Sequence, residues 1–356
     1  MCHKHQMRSK PFAILLLSIQ ESLSMKRIDL VKTGGFIAGE HLVVSNVPSP
    51  EPTDQQVVID VRASAINPVD WKMAEYVFYL PEPLPAALGC DVAGVVVKAP
   101  SQELLGKRVV AYLGAIKTNH PTDRGAFCQQ VAIDADVVGE IPDSLSFAAA
   151  ATLPVGAMTA ALLLNALSVE KDDKILVWGA SSSVGYNTVQ LAIRRGLKPI
   201  AIASGKHGPA LQALGAAGFV DYTKRNVKKK VKDICGSDML NSAVDCIGTP
   251  EIFGTCCELV GELGDASAER VVSTVSSFGL PEPPQGVKKS SVTLGPALDD
   301  PEMRENVVKA TLPIMVELQT LPVRSIKGPF SAETVQEAFQ TSKSGVSGEK
   351  VVIEWT

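Results

Sequence analysis

With 356 residues, 20% charged and 46% hydrophobic, the chain has the composition of a folded protein of about two domains rather than a disordered one. Its formal net charge of −4 argues against nucleic acid or an anionic membrane surface as the main partner. Seven cysteines, odd in number and without a C-x-x-C pair, point to a reducing compartment and away from a disulfide framework or a structural zinc lobe.

Lys4, Arg8 and Lys10 precede a short apolar stretch, Phe12 to Ile19, broken by Ser18. It has the outline of a targeting signal but lacks a small-residue cleavage site. Residues 1–24 are therefore expected to be an extension, with the folded chain of a cytoplasmic protein starting at Met25. After a proline-rich turn at Pro48 to Pro52, Val57 to Ala63 partly alternates apolar and polar side chains, as a half-buried strand does. The glycine turn at Leu88-Gly89 runs into a strand ending at Val97, and Arg108 to Leu113 and Ala126 to Ile133 read as further strands. Short strands and turns without helical periodicity predict a small β-rich barrel. Ser144 to Leu167 shifts to alanine and leucine and predicts helices, interrupted at Pro154 and Gly156.

The stretch from Asp173 to His207 organises the rest. Lys174 to Trp178 has the apolar run of a buried parallel strand. Gly179 to Gly185 is small apart from Val184, so backbone can approach a ligand closely. Tyr186 to Arg195 sets Val189, Ala192 and Ile193 on one helical face and ends on arginines, where the macrodipole favours cations. Gly196 stops the helix and Pro199 to Ala203 is a second strand. Such a βαβ unit offers the free N–H groups of a helix N-terminus to a pyrophosphate. The glycine fingerprint is imperfect, since Ser182 stands where a middle glycine belongs; an ordinary turn without a ligand is the alternative.

In a unit built for NAD, an acid after the second strand holds the ribose 2′-hydroxyl. Here Ser204-Gly205-Lys206-His207 follows, with no acid in reach. A hydroxyl, an ammonium and an imidazole suit a 2′-phosphate. Charge-assisted contacts of about 1.5–3 kcal/mol each, worth about tenfold or more in affinity, make NADPH the expected cofactor. A solvated loop is the other reading.

Leu211 to Gly215 reads as a helix end, and Phe219 to Tyr222, Ser242 to Ile247, Arg270 to Val275 and Ser291 to Leu294 as strands. Gln285 to Ser290 is expected to be a loop, and the basic run Lys228-Lys229-Lys230-Val231-Lys232 a solvated helix face. Met303 to Leu318 and Ser331 to Gln340 predict helices, and Gly348 to Trp355 a final strand, which makes the chain an α/β protein.

Taken in order, NPVDWK, LGCDVAG, RGAFCQQV, TLPVGAMTA, WGASSSVG, ASGKH, FVDY, VDCIG, TLGPAL and SGEKVVIEW resemble the medium-chain dehydrogenase/reductase superfamily over nearly everything from Met25 to Thr356. Within it they are similar to the fungal zinc-independent branch, which includes trans-acting enoyl reductases of polyketide clusters and zinc-type alcohol dehydrogenase-like proteins. The resemblance implies a GroES-like β-rich catalytic domain over 25–160. A Rossmann NADPH-binding domain, a doubly wound parallel sheet, is then inserted over 161–300, and 301–356 returns to the catalytic domain.

Carried over residue by residue, the resemblance makes Val69, Asp70 and Lys72 cofactor contacts from the catalytic domain. Ser181, Ser182, Ser183, Val184 and Gly185 match the diphosphate loop, and Ser204, Lys206 and His207 the 2′-phosphate clamp. Tyr222 matches the residue beside the adenosine, and Ser347 and Gly348 a contact from the tail. Ala160, Leu163 and Leu164 match a helix bordering the acyl pocket, and Thr293, Leu294, Gly295, Pro296 and Ala297 a substrate-lining segment. A small-molecule or carrier-tethered acyl substrate, a polyketide synthase partner and a monomer or homodimer are implied with them.

A zinc dehydrogenase of this fold needs a Cys, a His-Glu pair and a later Cys or Asp. The matching sites hold Asp70 and Cys90-Asp91, and Thr118 to Arg124 lacks the cysteines of a structural lobe, so no metal is expected. Without zinc, the enolate formed when hydride reaches the β-carbon of an enone or enoyl thioester must be held by hydrogen bonds. Lys72 and Thr159 are the candidates for orienting cofactor and substrate. Tyr76 or Tyr79 is the candidate proton donor, with plain cleft packing, and solvent as the acid, as the other reading. The expected activity is NADPH-dependent reduction of an activated C=C bond. A quinone or carbonyl reductase and a non-catalytic NADPH-binding protein are the alternatives.

Overall fold

A computed structural model describes residues 24–76, 84–114, 124–275 and 278–356. Six parallel strands form one sheet in the order Gly218–Asp221, Lys198–Ala203, Lys174–Trp178, Ser242–Asp245, Arg270–Thr274 and Val287–Ser291. That is the doubly wound order 3-2-1-4-5-6, and its switch point falls between the strand ending at Trp178 and the strand ending at Asp245. Both faces are covered, which is why the strands read as continuous apolar runs. Leu176, Trp178, Ile200 and Ile202 pack on one face with Phe253 and Cys256, whereas Ile175, Val177, Ala201 and Ala203 join a larger core that continues into the barrel.

The barrel is built on Gln56–Ala65, which pairs antiparallel with Asp91–Lys98, Gln130–Asp134 and the C-terminal strand Lys350–Trp355. Register shifts at Val58/Ile59 and Val61/Ala63 bend this strand around the core. The tail thus returns to the first half, with Val352 opposite Ala65. Helix Pro154–Asn165 connects the two sheets and runs unbroken across the expected boundary at 160/161. The stretch Phe147–Asn165 is apolar enough to span a membrane by composition, but 78% of its apolar window is buried, as a core helix packs.

Three expectations differ from what is observed. Gln285 to Ser290 is not simply a loop: Val287–Ser291 forms the edge strand, with only Val287 buried. An edge strand needs one apolar face at most, so its lysines and serines hide it from a hydropathy reading. In consequence 292–294 lies beyond the strand rather than within it. The Met303 to Leu318 helix is interrupted by a π-helical turn over Arg304–Lys309, with Pro313 inside the helix that follows.

Candidate active site

The crevice opens at the carboxyl ends of the strands on either side of the switch point. Its outer part is a cavity of about 910 Å³ lined by Gly179, Ser181 and Ser182, by Tyr222, and by Ile247 and Ser347 opposite. Helix Ser183–Arg194 begins there, earlier than its apolar periodicity shows, because Ser182 is its N-cap: the Ser182 hydroxyl accepts from Gly185 N at 3.0 Å. This is the physical role of the serine that spoils the fingerprint. Gly185 itself is fixed by packing, since a Cβ there would lie 2.1 Å from the Gly179 carbonyl oxygen. Ser181, Ser182, Ser183 and Val184 reach one cavity or the other, whereas Gly185 serves the close helix–strand approach.

The loop after the second strand lies beside the cavity, linked to its wall through Ser347, but Ser204, Lys206 and His207 are not part of the lining. His207 Nε2 bonds the Ser347 hydroxyl at 2.8 Å, and Gly348, at φ 73°, leaves room for the imidazole where a Cβ would stand 2.3 Å from the ring. The tail residues Ser347 and Gly348 are thereby tied to the nucleotide sheet. Burial, and after it the Lys206 charge, lowers the His207 pKa. An acid does lie near: Asp221, at the end of strand Gly218–Asp221, sits under Gly205, whose Cβ would fall 2.5 Å from its Oδ2. The statement that no acid is in reach is corrected on that point. Asp221 accepts from Thr223 N at 2.9 Å and Thr223 Oγ1 at 2.7 Å, bonds that hold its pKa low, and it does not line the cavity.

The basic run is the exposed face of helix Val227–Cys235, as expected: Val231 and Cys235 are buried, and Lys228, Lys229, Lys230 and Lys232 are exposed. Lys228 pairs with Glu258, and Lys228 and Lys229 also reach the rim of the cavity.

The inner part of the crevice is a cavity of about 350 Å³ between the two sheets. Val69 and Lys72 from helix Pro68–Glu75, Thr159 from helix Pro154–Asn165, and Thr293, Leu294 and Gly295 line it, together with Tyr112, Cys246 and Val275. Tyr112 donates its hydroxyl to Leu294 O at 3.2 Å, fixing that wall. Tyr76 is exposed and lies off the cavity lining, and Tyr79 falls outside the described residues.

Several expected contacts are not on this surface. Ala160, Leu163 and Leu164 are buried in the core, because that face of the helix packs inward while Thr159 looks into the cleft. Ala297 is buried in a helical turn and Pro296 is not part of the lining. Asp70 is a fold residue, not a cofactor contact: it is fully buried, accepting from Asn67 N at 2.6 Å and from the Cys90 thiol at 3.0 Å.

Asp70 belongs to a buried polar cluster that sequence reading missed. Asp91 accepts from Asn67 Nδ2 at 2.9 Å and from Val155 N at 3.0 Å, and the Lys350 ammonium donates to Asn67 Oδ1. Burial, only partly offset by these bonds, raises Asp70 from 3.8 to about 7 and Asp91 to about 6. It also pushes the Cys90 thiol well up and lowers Lys350. The donor set does not suit zinc. Every carboxylate oxygen of Asp70 and Asp91 already holds a fold hydrogen bond, and Cys90 keeps its proton.

The cluster predicts a stability effect. The folded Asp70 keeps a proton that the unfolded chain has lost between pH 3.8 and about 7. The folded state binds more protons there, so stability falls as pH rises through that window. Asp70→Asn mimics the protonated form. Thermal unfolding from pH 4 to 8 is expected to show a shallower decline for the variant, with a difference of about 2 kcal/mol or more at pH 8. Parallel curves would contradict the raised value.

Comparison with known proteins agrees with this architecture. The alcohol dehydrogenase GroES-like domain model matches residues 53–143 and the zinc-binding dehydrogenase model residues 183–269. Trans-enoyl reductase himH of Aspergillus japonicus is 33% identical over 317 residues, covering 84% of this chain and 89% of that protein. The chain belongs to the medium-chain dehydrogenase/reductase superfamily. It is an enzyme of that type, similar to the fungal trans-enoyl reductases. Another relative is 2-methylene-furan-3-one reductase of Solanum lycopersicum, 31% identical over 321 residues, 87% of this chain and 74% of that one. In fold, the structure of CurK enoyl reductase superposes with a TM-score of 0.73 at 18% identity, over 93% of this chain and 99% of that one. Superfamily membership implies a nicotinamide cofactor. The residues fit one: a capped helix N-terminus, a close glycine approach and a cavity of dinucleotide size lie at the switch point.

Proposed function

We propose that this medium-chain reductase is an NADPH-dependent, zinc-independent enoyl reductase acting on an activated C=C bond. In this reading it works in trans, in the cytoplasm, on a carrier-tethered acyl chain of a polyketide synthase. The observation that supports the reaction type is the commitment of Asp70, Cys90 and Asp91 to the fold, which leaves a largely apolar cleft with hydrogen-bond donors and, among the described residues, no set of metal ligands. Reduction of a simple carbonyl yields an alkoxide, a strong base that needs a metal or a committed acid. Reduction of an enoyl thioester yields an enolate whose charge is delocalised, and hydrogen bonds suffice to hold it.

In the proposed assignment Ser181 to Val184 and the helix N-terminus hold the diphosphate, and Ser204 and Lys206, in the loop beside the cavity, the 2′-phosphate; Lys229 adds positive charge at the cavity rim, where Lys228 is paired with Glu258. Bound there, the nicotinamide supplies hydride. Val69, Lys72 and Thr159 orient the reacting groups, and the wall Thr293, Leu294 and Gly295 excludes water. The fungal relatives' name, trans-enoyl reductase, supports action in trans on an enoyl group, and that of the tomato relative the reduction of a conjugated double bond.

The test is NADPH oxidation by the purified protein across enoyl thioesters, enones, quinones and ketones. Enoyl thioesters are expected to turn over fastest. Activity confined to quinones or ketones would assign a different reductase, and NADPH binding without turnover of any acceptor a binding protein.

A further inference from the structure

The cluster beneath the inner cavity contains one cation, and it is not fully used. Lys350 opens the C-terminal strand with 4% of its surface exposed, yet it forms part of the cavity lining. Among the described residues the ammonium makes a single hydrogen bond, to Asn67 Oδ1. An ammonium has three N–H donors and no acceptor, so two remain unspent in a site where an unpaired donor is costly. Asp91 is engaged by Asn67 and by the Val155 amide, and Asp70 by Asn67 and Cys90. Asp91 is therefore linked to Lys350 through the Asn67 side chain rather than by taking its protons, while Asp70 meets the Asn67 backbone N–H.

The Asn67 bridge also fixes where the ammonium stands. The Asn67 carbonyl accepts from Lys350 while its amide donates to Asp91, which in turn holds the first turn of helix Pro154–Asn165. A charged donor held by its partners costs no reorganisation when a ligand arrives. Val69, Tyr112, Val155, Val275, Val292 and Leu294 line the same cavity together with the polar Lys72, Thr159 and Thr293, and beside the apolar part of that wall such a donor is strong.

We propose that Lys350 is a binding residue of this site, donating a charge-assisted hydrogen bond to a carbonyl oxygen in the inner cavity. That oxygen belongs to the nicotinamide carboxamide or to the acyl group of the substrate. The inference rests on the enoyl reductase reading only for the second of these. In either case the C-terminal tail contributes to ligand binding directly, besides making the Ser347–His207 contact just before its strand.

Lys350→Met removes the donor and keeps the apolar stem. Two ligands separate the sources by fluorescence or calorimetric titration without turnover: NADPH, and 2′-phospho-ADP-ribose, which lacks the nicotinamide. If the carboxamide is the acceptor, NADPH binding weakens about tenfold while 2′-phospho-ADP-ribose is unchanged. If the acyl oxygen is the acceptor, both affinities hold and kcat/KM for an enoyl thioester falls about tenfold or more. Equal values for variant and unaltered protein in all three measurements would overturn the proposal. So would loss of both affinities together, which marks a structural role. Failure of every enoyl acceptor would remove the reductase reading and leave the titrations decisive. Should the variant not fold, a crystal structure of the unaltered protein with NADP⁺ and a saturated thioester decides it. A ligand oxygen within about 3.2 Å of Lys350 Nζ is expected, and none in hydrogen-bond range would overturn the assignment.

Discussion

Gly185→Val is expected to destabilise the protein by about 3 kcal/mol or more, and to weaken dinucleotide binding at least about tenfold. The new Cβ would stand 2.1 Å from the Gly179 carbonyl oxygen and 2.7 Å from the Ala180 Cα. Both are backbone atoms at the end of a buried strand, so no rotamer change relieves the contact. The helix has to lift away from the turn, which also strains the Ser182 cap at the Gly185 amide. Movement of this helix start displaces the very N–H groups assigned to the diphosphate. Thermal unfolding and NADPH titration check both effects, and a variant with unchanged midpoint and affinity would refute the close-approach role.

The second large effect concerns cofactor choice. Ser204→Asp combined with Lys206→Ala is expected to lower kcat/KM for NADPH about a hundredfold, one factor of about ten for each substitution. His207 is held by Ser347 and has its pKa lowered by burial and by the Lys206 charge, whereas Lys206 is the lysine of the loop. Removing it takes away a phosphate partner, and the carboxylate placed at 204 repels a 2′-phosphate while it accepts from a free ribose hydroxyl. Values for NADH should hold or improve. Equal losses with both cofactors would show that the loop supports the fold and does not read the phosphate. Asp221 accepts from Thr223 through Oδ1 alone and its Oδ2 lies under Gly205 of the same loop, so its charge is common to the variant and the unaltered protein.

Much of this arrangement was legible in the chain. The strand from Lys174, the small-residue turn and the helix ending at Arg194 stand out because a buried parallel strand and an amphipathic helix have different periods. The serine-rich stretch was legible as the strand-to-helix turn of that unit, and its middle serine is the cap of the helix. The failures have physical causes. Ala160, Leu163 and Leu164 are apolar, and an apolar helix face looks the same whether it meets a core or a pocket. Asp70 sits in a family motif one turn from real lining residues, but helical geometry points it inward, toward Cys90. Val287–Ser291 is polar because it lies at a sheet edge. Lys350 was invisible as a site residue, since a lysine near a chain end ordinarily reads as solvated, and only the return of the last strand to Gln56–Ala65 buries it.

The fate of hydride tests the proposed activity most directly. NADPH carrying deuterium at C4 of the nicotinamide is to be oxidised with an α,β-unsaturated thioester, and the label located in the product by NMR. The expected result is a saturated thioester with deuterium on the β-carbon and a solvent-derived proton on the α-carbon. Deuterium on a carbinol carbon, or no transfer of label to any unsaturated thioester by protein that binds NADPH, would contradict the account.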